Sequence, residues 1–308
     1  MFRRLAARVT PPVSILSPAL VPEPARLPKP SRPQDIDAWL QRWRESAGET
    51  NDAATAAFIA GVVDDRTGRA LLDAVFGNSP FLSRALVSDI AFARRLMEDG
   101  PGTVFPDCLA DIRRPSEKGE DTGSLMRRMR VAKRRCALTA GLADITGAWA
   151  LDQITSALSS CAEAALQVAS RHLLLSAAAS GDLAIADPAD PERLSGLIVL
   201  GMGKLGANEL NYSSDIDLMV LYDGEIVDYR GKDGPQQCFV RLARNLVRMM
   251  EERTGDGYVF RTDLRLRPDP GATPLALSTL AAETYYESEG QNWERAALIK
   301  ARVIAGDL

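Results

Sequence analysis

One stretch limits the fold more than any other: Leu197-Ile198-Val199-Leu200-Gly201-Met202-Gly203-Lys204-Leu205-Gly206, running through Asn211, Ser213 and Ser214 to Asp215-Ile216-Asp217. An apolar strand enters a glycine turn, and a second strand leaves it carrying two carboxylates two residues apart. In an extended chain, side chains i and i+2 share a face about 6.6 Å apart, so Asp215 and Asp217 aim at one spot. Ile216, Leu218, Val220 and Tyr222 take the opposite face. Two convergent carboxylates beside a glycine turn suit a hard divalent cation and a phosphate chain.

The glycine turn also spells G-x-G-x-x-G literally, and Asp223 stands where a ribose-binding acid would. A dinucleotide fold needs a full helix between the turn and the next strand. Here only Ala207 to Ser214 intervene, and Asn208, Asn211, Ser213 and Ser214 favour turns over helix interiors. A Walker A loop is excluded as well, because Lys204 is not followed by Ser or Thr.

A third acid emerges downstream. Gln236 to Glu252 reads as an amphipathic helix with Phe239, Leu242, Leu246, Met249 and Met250 on its buried stripe. After Thr254-Gly255-Asp256-Gly257, alternation predicts a strand with Tyr258, Phe260, Thr262, Leu264 and Leu266 on one face. Val259, Arg261, Asp263, Arg265 and Arg267 form the other, up to Pro268. Self-compensating Arg–Asp pairs on an exposed strand would give the same pattern. The Asp-x-Asp pair tips the reading towards a site, with Asp263 completing a carboxylate triad and Arg265 and Arg267 flanking it as phosphate clamps.

The remainder of the chain reads as support. Its 308 residues, 46% hydrophobic and 25% charged, suffice for one large or two ordinary domains. A net charge of −4 gives no global attraction to nucleic acid or anionic membrane, so phosphate binding needs a local basic cluster. Cys108, Cys136, Cys161 and Cys238 lack C-x-x-C spacing and His172 is the sole imidazole, which points to reduced, buried thiols of a cytoplasmic protein rather than zinc or Cys-His chemistry. No apolar run approaches the ~20 residues that span a bilayer.

Residues 1–34 read as a disordered proline-rich arm, with eight prolines before Gln34 and Arg3, Arg4 and Arg8 near the start. A helical region follows over 35–180. Its elements begin at Asp35, Asn51 and Leu71, run from Phe81 to Met97, and end in a long pair over Ser124–Leu142 and Leu151–Ala179, with a polar loop at Ser116–Gly123. Arg127, Arg128, Arg130, Lys133, Arg134 and Arg135 on the first of that pair suit a solvated or acid-paired face, with phosphate contact or docking as further uses. No aromatic residues interleave to stack bases, which argues against nucleic acid. The composition of 181–191 marks a domain boundary, the sheet-forming core spans 192–277, and 278–308 opens a C-terminal helical region.

From Gly201 through Glu209-Leu210-Asn211 to Leu218, the chain resembles the glutamine synthetase adenylyltransferase/adenylyl-removing family, built on the DNA polymerase β-like nucleotidyltransferase fold. Gly77-Asn78-Ser79-Pro80-Phe81-Leu82, Asp263-Leu264-Arg265-Leu266-Arg267-Pro268, Tyr285-Tyr286 and Trp293-Glu294-Arg295 to Lys300-Ala301-Arg302 carry the same resemblance. It implies an α+β fold: a mostly helical N-terminal region, then a mixed sheet with flanking helices. Ala207 departs from the pattern, standing where a second glycine is common.

The family's full members are longer and hold two nucleotidyltransferase domains. One removes AMP from a glutamine synthetase tyrosine by phosphorolysis, and the other attaches it from ATP. Tyr285 to Arg295 looks like the removing copy, so the chain reads as a fragment of such an enzyme. Carried over by position, Asp215, Asp217 and Asp263 resemble the Mg²⁺-binding and catalytic triad. Gly203 with Ser213 or Ser214 would support phosphates, and Lys204, Arg265, Arg267 and Lys300 would neutralise charge. The implied partners are adenylylated glutamine synthetase, phosphate, ADP and ATP, with a PII-type signal protein acting through parts outside this chain. The alternatives are a related nucleotidyltransferase with another acceptor and a non-catalytic module that binds glutamine synthetase.

Overall fold

The computed structural model describes residues 14–21, 26–115 and 120–307, arranged in two compact units. The chain is α+β, with helices on either side of one small sheet in the sequence.

The first unit takes in residues 14–104 of the described chain and Gly141–Trp149. Its helices are α1 (Ile36–Glu49), α2 (Ala53–Asp64), α3 (Arg66–Phe76), α4 (Pro80–Ser88) and α5 (Ile90–Asp99), with the start of α6 (Pro101–Arg113) and the end of α7 (Thr122–Thr146). Caps set the boundaries. Asp52 accepts from the Ala54 and Thr55 amides, Asp65 from Gly68, and Ser79 from Leu82 just before Pro80. The single helix expected from Phe81 to Met97 is two, interrupted at Asp89, whose non-helical backbone (φ −143°, ψ 67°) ends α4 and starts α5. Gly100, at φ 83°, ends α5, and α6 starts at the next residue.

Trp43, Ile59, Leu71, Leu72 and Phe76 fill this unit's core, and the buried Trp43 indole donates to the Ile59 carbonyl at 3.0 Å. The proline-rich arm differs from the expectation where it is described. Leu16 and Leu20 are buried, and the Ser17 amide donates to the Met97 carbonyl at 2.7 Å. Pro30 abuts Gly77, where a Cβ would meet its ring, while the Ser31 amide donates to Asn78 Oδ1. Two apolar anchors and two backbone bonds thus tie down a segment whose composition suggests disorder. Residues 1–13, 22–25, 116–119 and 308 lie outside the described residues, and with them half of that arm and part of the polar loop.

The second unit takes in Phe105–Ala140 and residues 150–307. Residues 181–191 lie inside this unit. Helix α8 (Leu151–Ala179) packs against α10 (Pro235–Glu251) and against the sheet, and Gln167 Nε2 donates to the Ile304 carbonyl, so the long helices belong with the sheet.

The sheet comprises β1 (Leu197–Gly201), β2 (Ile216–Tyr222), β3 (Thr262–Asp263), β4 (Ala276–Ser278) and β5 (Arg302–Gly306), in the order β3-β2-β1-β5 with β4 also on β2. Strands β1 and β2 are antiparallel, joined by α9 (Gly203–Gly206) and a loop, which rules out the βαβ crossover of a dinucleotide fold. The same edge of β2 takes β3 at Ile216–Asp217 and β4 at Val220–Tyr222, both parallel.

Two expectations fail here. The strand anticipated over Tyr258–Arg267 shrinks to two residues, because Val259 and Phe260 are both buried and break the alternation. Helices α11 (Thr279–Ser288) and α12 (Asn292–Ala297) do follow β4, yet the chain then returns as β5 to pair with β1. The core therefore extends past residue 277.

Candidate active site

The site forms where β1 runs into α9 and β2 sets out beneath it. Gly203 sits at φ 52°, a left-handed conformation that costs other L-residues about 1–2 kcal/mol. A Cβ there would lie 3.0 Å from Asp217 Oδ2, so the missing side chain leaves room for the carboxylate. Gly206 is needed for another reason: a Cβ would run into the carbonyl oxygens of Lys300 and Gly201. The loop after α9 is tied to α8, where Ser159 Oγ accepts from the buried Leu210 amide and Asn208 Nδ2 donates to Ser156 Oγ.

Register brings the expected acids together. Asp217 stands directly opposite Asp263 across the parallel β2–β3 pair, and Asp215 immediately precedes β2. Burial and the neighbouring Asp263 and Asp215 push the Asp217 carboxyl above its usual range, against the pull of Arg265 and Lys204. Asp263 is held low by hydrogen bonds from Arg265, whose Nε lies 3.0 and 2.9 Å from its two oxygens. Asp215 is bound at 2.5 Å by Arg261 Nε, while Arg261 Nη2 takes the Ser213 carbonyl at 2.5 Å.

The other expected residues divide. Lys204 is exposed and within electrostatic reach of Asp217. Ser213, at φ 55°, uses its carbonyl to hold Arg261, and Ser214 is half-buried in the same turn. Arg267 is no phosphate clamp as it lies. Its guanidinium donates to the carbonyls of Leu264, Pro270, Thr273 and Pro274, pinning the loop between β3 and β4. Lys300 pairs with Glu209 at 2.9 Å.

The basic face of α7 is largely neutralised within its unit. Arg127 reaches Asp256, Arg128 pairs with Glu120 at 3.0 Å, and the buried Arg130 donates to the Glu252 carbonyl. Lys133 lies over the Tyr258 and Phe260 rings, 5.2 and 5.4 Å from their centroids. Sequence reasoning gave no role to Arg261, although its place two residues before Asp263 on the charged face was visible. Ser159 and Glu251, which accepts from the Thr262 amide and hydroxyl, carried no local signal.

The donor chemistry fits a divalent cation: three carboxylates, no imidazole or thiol acting on Asp217 among the described residues, and the space at Gly203. As the side chains lie, no three acidic, His or Cys residues stand close enough to hold a metal ion among the described residues. Arg261 and Arg265 occupy the outer two acids.

The profile of the glutamate-ammonia ligase adenylyltransferase family matches residues 70–308. This chain belongs to that family. It is 47% identical over 253 residues to a protein of Rhizobium meliloti (strain 1021), covering 80% of this chain and 26% of the relative. Against a Bradyrhizobium sp. (strain ORS 278) protein it is 48% identical over 243 residues, covering 78% and 24%. Against one from Agrobacterium fabrum (strain C58 / ATCC 33970) it is 45% identical over 261 residues, covering 83% and 26%. All three carry the name bifunctional glutamine synthetase adenylyltransferase/adenylyl-removing enzyme. The chain spans about a quarter of the length of these relatives. Among the described residues no helix is long and apolar enough to cross a membrane.

Proposed function

We propose that this chain is a Mg²⁺-dependent nucleotidyltransferase module that removes AMP from an adenylylated tyrosine of glutamine synthetase by phosphorolysis. The observation that carries the reading is the β2–β3 register, which sets Asp217 against Asp263 with Asp215 alongside and Gly203 leaving space above. Asp215, Asp217 and Asp263 would hold the cation, which supplies positive charge to phosphate oxygens when bound.

The chain's own residues do the positioning. Lys204 and, once released from Asp263, Arg265 offer charge to the transferring phosphoryl group. Inorganic phosphate attacks the AMP phosphorus, a new P–O–P linkage forms, and the bond to the tyrosine oxygen breaks, giving ADP and unmodified protein. The phenol has an unperturbed pKa of about 10, so it leaves readily once its charge is stabilised. No covalent nucleophile is required, and Cys108, Cys136, Cys161 and Cys238 are all buried.

The removing direction is favoured by the Tyr285–Arg295 segment, and the relatives' names include that activity. The same reading has the protein working in the cytoplasm, with ATP-dependent attachment and response to a PII-type protein assigned to other parts of the longer enzyme.

The test is ADP release from adenylylated glutamine synthetase on adding the chain, Mg²⁺ and phosphate. ADP from the wild type, absent with a folded Asp217→Asn variant, supports the reading. Full turnover by Asp217→Asn removes the triad. A folded chain that binds glutamine synthetase and Mg²⁺ but releases no ADP is a binding module instead.

A further inference from the structure

Two guanidiniums are set against three carboxylates in this site. Arg261 and Arg265 hold Asp215 and Asp263, the outer members, and Asp217 between them forms no ion pair among the described residues. Arg265 covers both Asp263 oxygens, and Arg261 takes Asp215 Oδ1. A hard cation would need those same oxygens, so cation and guanidinium compete.

The two arginines are built to yield. The Arg261 and Arg265 side chains are 48% and 83% exposed, so water can take up either guanidinium as it leaves, although the Asp263 carboxylate is itself only 16% exposed. Arg267 is the contrast, fixed by four carbonyls. The Lys133 ammonium lies against the rings of Tyr258 and Phe260, where burial first and the nearby Arg261 charge after it disfavour its protonated form. The second bond of Arg261, from Nη2 to the Ser213 carbonyl at 2.5 Å, keeps the guanidinium beside the site when its partner oxygen on Asp215 is claimed.

We propose that Arg261 and Arg265 are exchangeable counter-ions: a divalent cation entering among Asp215, Asp217 and Asp263 displaces both guanidiniums, and the freed Arg261 becomes a ligand for the substrate phosphate. This rests on the nucleotidyltransferase reading. It makes Arg261 a phosphate-binding residue and couples the two binding events, because each ligand releases a group the other uses, and such coupling is reciprocal.

Calorimetric titration of Mn²⁺ into the full chain tests the exchange without reference to turnover. Arg261→Gln and Arg265→Gln, each checked by circular dichroism, should bind Mn²⁺ about two- to five-fold tighter than wild type, the value of losing a weak exposed pair. Inorganic phosphate should bind wild type more tightly with Mg²⁺ present, and Arg261→Gln should lose that gain. If wild type binds Mn²⁺ but the variants bind it equally or more weakly, the exchange is wrong and the metal reading stands. Unchanged Mg²⁺ dependence of phosphate binding in Arg261→Gln also overturns it. Should wild type bind no Mn²⁺, both readings fall. Arg265→Gln keeps the first comparison available if Arg261→Gln does not fold.

Discussion

Replacing Gly203 by alanine separates the backbone role of the glycine turn from its role at the acids. The left-handed φ of 52° costs an alanine about 1–2 kcal/mol. Alanine recovers about 0.4–1 kcal/mol by restricting the unfolded chain, leaving a net loss of about 1 kcal/mol. For a unit of this size that lowers the melting temperature by about 2–4 °C. The new Cβ would lie 3.0 Å from Asp217 Oδ2, so the carboxylate must retreat by a few tenths of an ångström. If a 1 Å misplacement costs about 100-fold, a shift of that size costs about three- to six-fold in turnover. Thermal melts, Mn²⁺ titration and ADP release on the same preparations would read all three quantities. A variant with wild-type Mn²⁺ affinity and wild-type turnover would refute the link between this glycine and Asp217, whatever its melting temperature.

Gly206→Ala should be worse for folding, because the two oxygens its Cβ meets are backbone and cannot rotate away; a loss of at least about 1–3 kcal/mol is expected in urea denaturation. Leu20→Ala should cost about 2–5 kcal/mol despite lying in a proline-rich segment, since Leu20 is fully buried, and denaturation of the first unit reads this directly. Tyr286 is pushed up to about 12 by burial, Glu294 and Tyr285. The folded state therefore keeps a proton that the unfolded state loses above about pH 10, so stability is intact below that and falls as pH rises towards about 12. Tyr286→Phe should remove that part of the alkaline loss at little cost near neutrality, because the buried hydroxyl has no hydrogen-bond partner among the described residues.

The approach of Asp217 to Asp263 was legible because two short-range signals coincided: i, i+2 spacing in Asp215-Ile216-Asp217 and a single acid in a cationic run at Asp263. What the pattern could not supply was strand length. Alternation over Tyr258–Arg267 looks like one long strand, yet Val259 and Phe260 both turn inward and pairing lasts only for Thr262 and Asp263. Arg265 and Arg267 share a parity and looked equivalent. Their fates differ because Arg267 meets four carbonyls of a loop folded by Pro268, Asp269 and Pro270, a contact set by tertiary closure. Strand β5 was missed for a similar reason. Arg302-Val303-Ile304-Ala305-Gly306 is short and follows two helices, and only its pairing with β1 declares it a strand. The buried Leu16 and Leu20 show the converse, where composition spoke for disorder and two side chains overruled it.

That late strand has a bearing on how the protein is made. Strand β1 has β2 as a neighbour soon after both leave the ribosome, but its other edge waits for Arg302 to Gly306. At about 5–20 residues per second, the hundred-odd residues between them take about 5–20 s to synthesise. Throughout that interval the nascent chain carries an apolar strand with one open edge, the kind of surface that recruits chaperones or other unfinished chains. Substitutions in β5 should therefore be felt in soluble yield during expression before they are felt in the melting temperature of the molecules that survive.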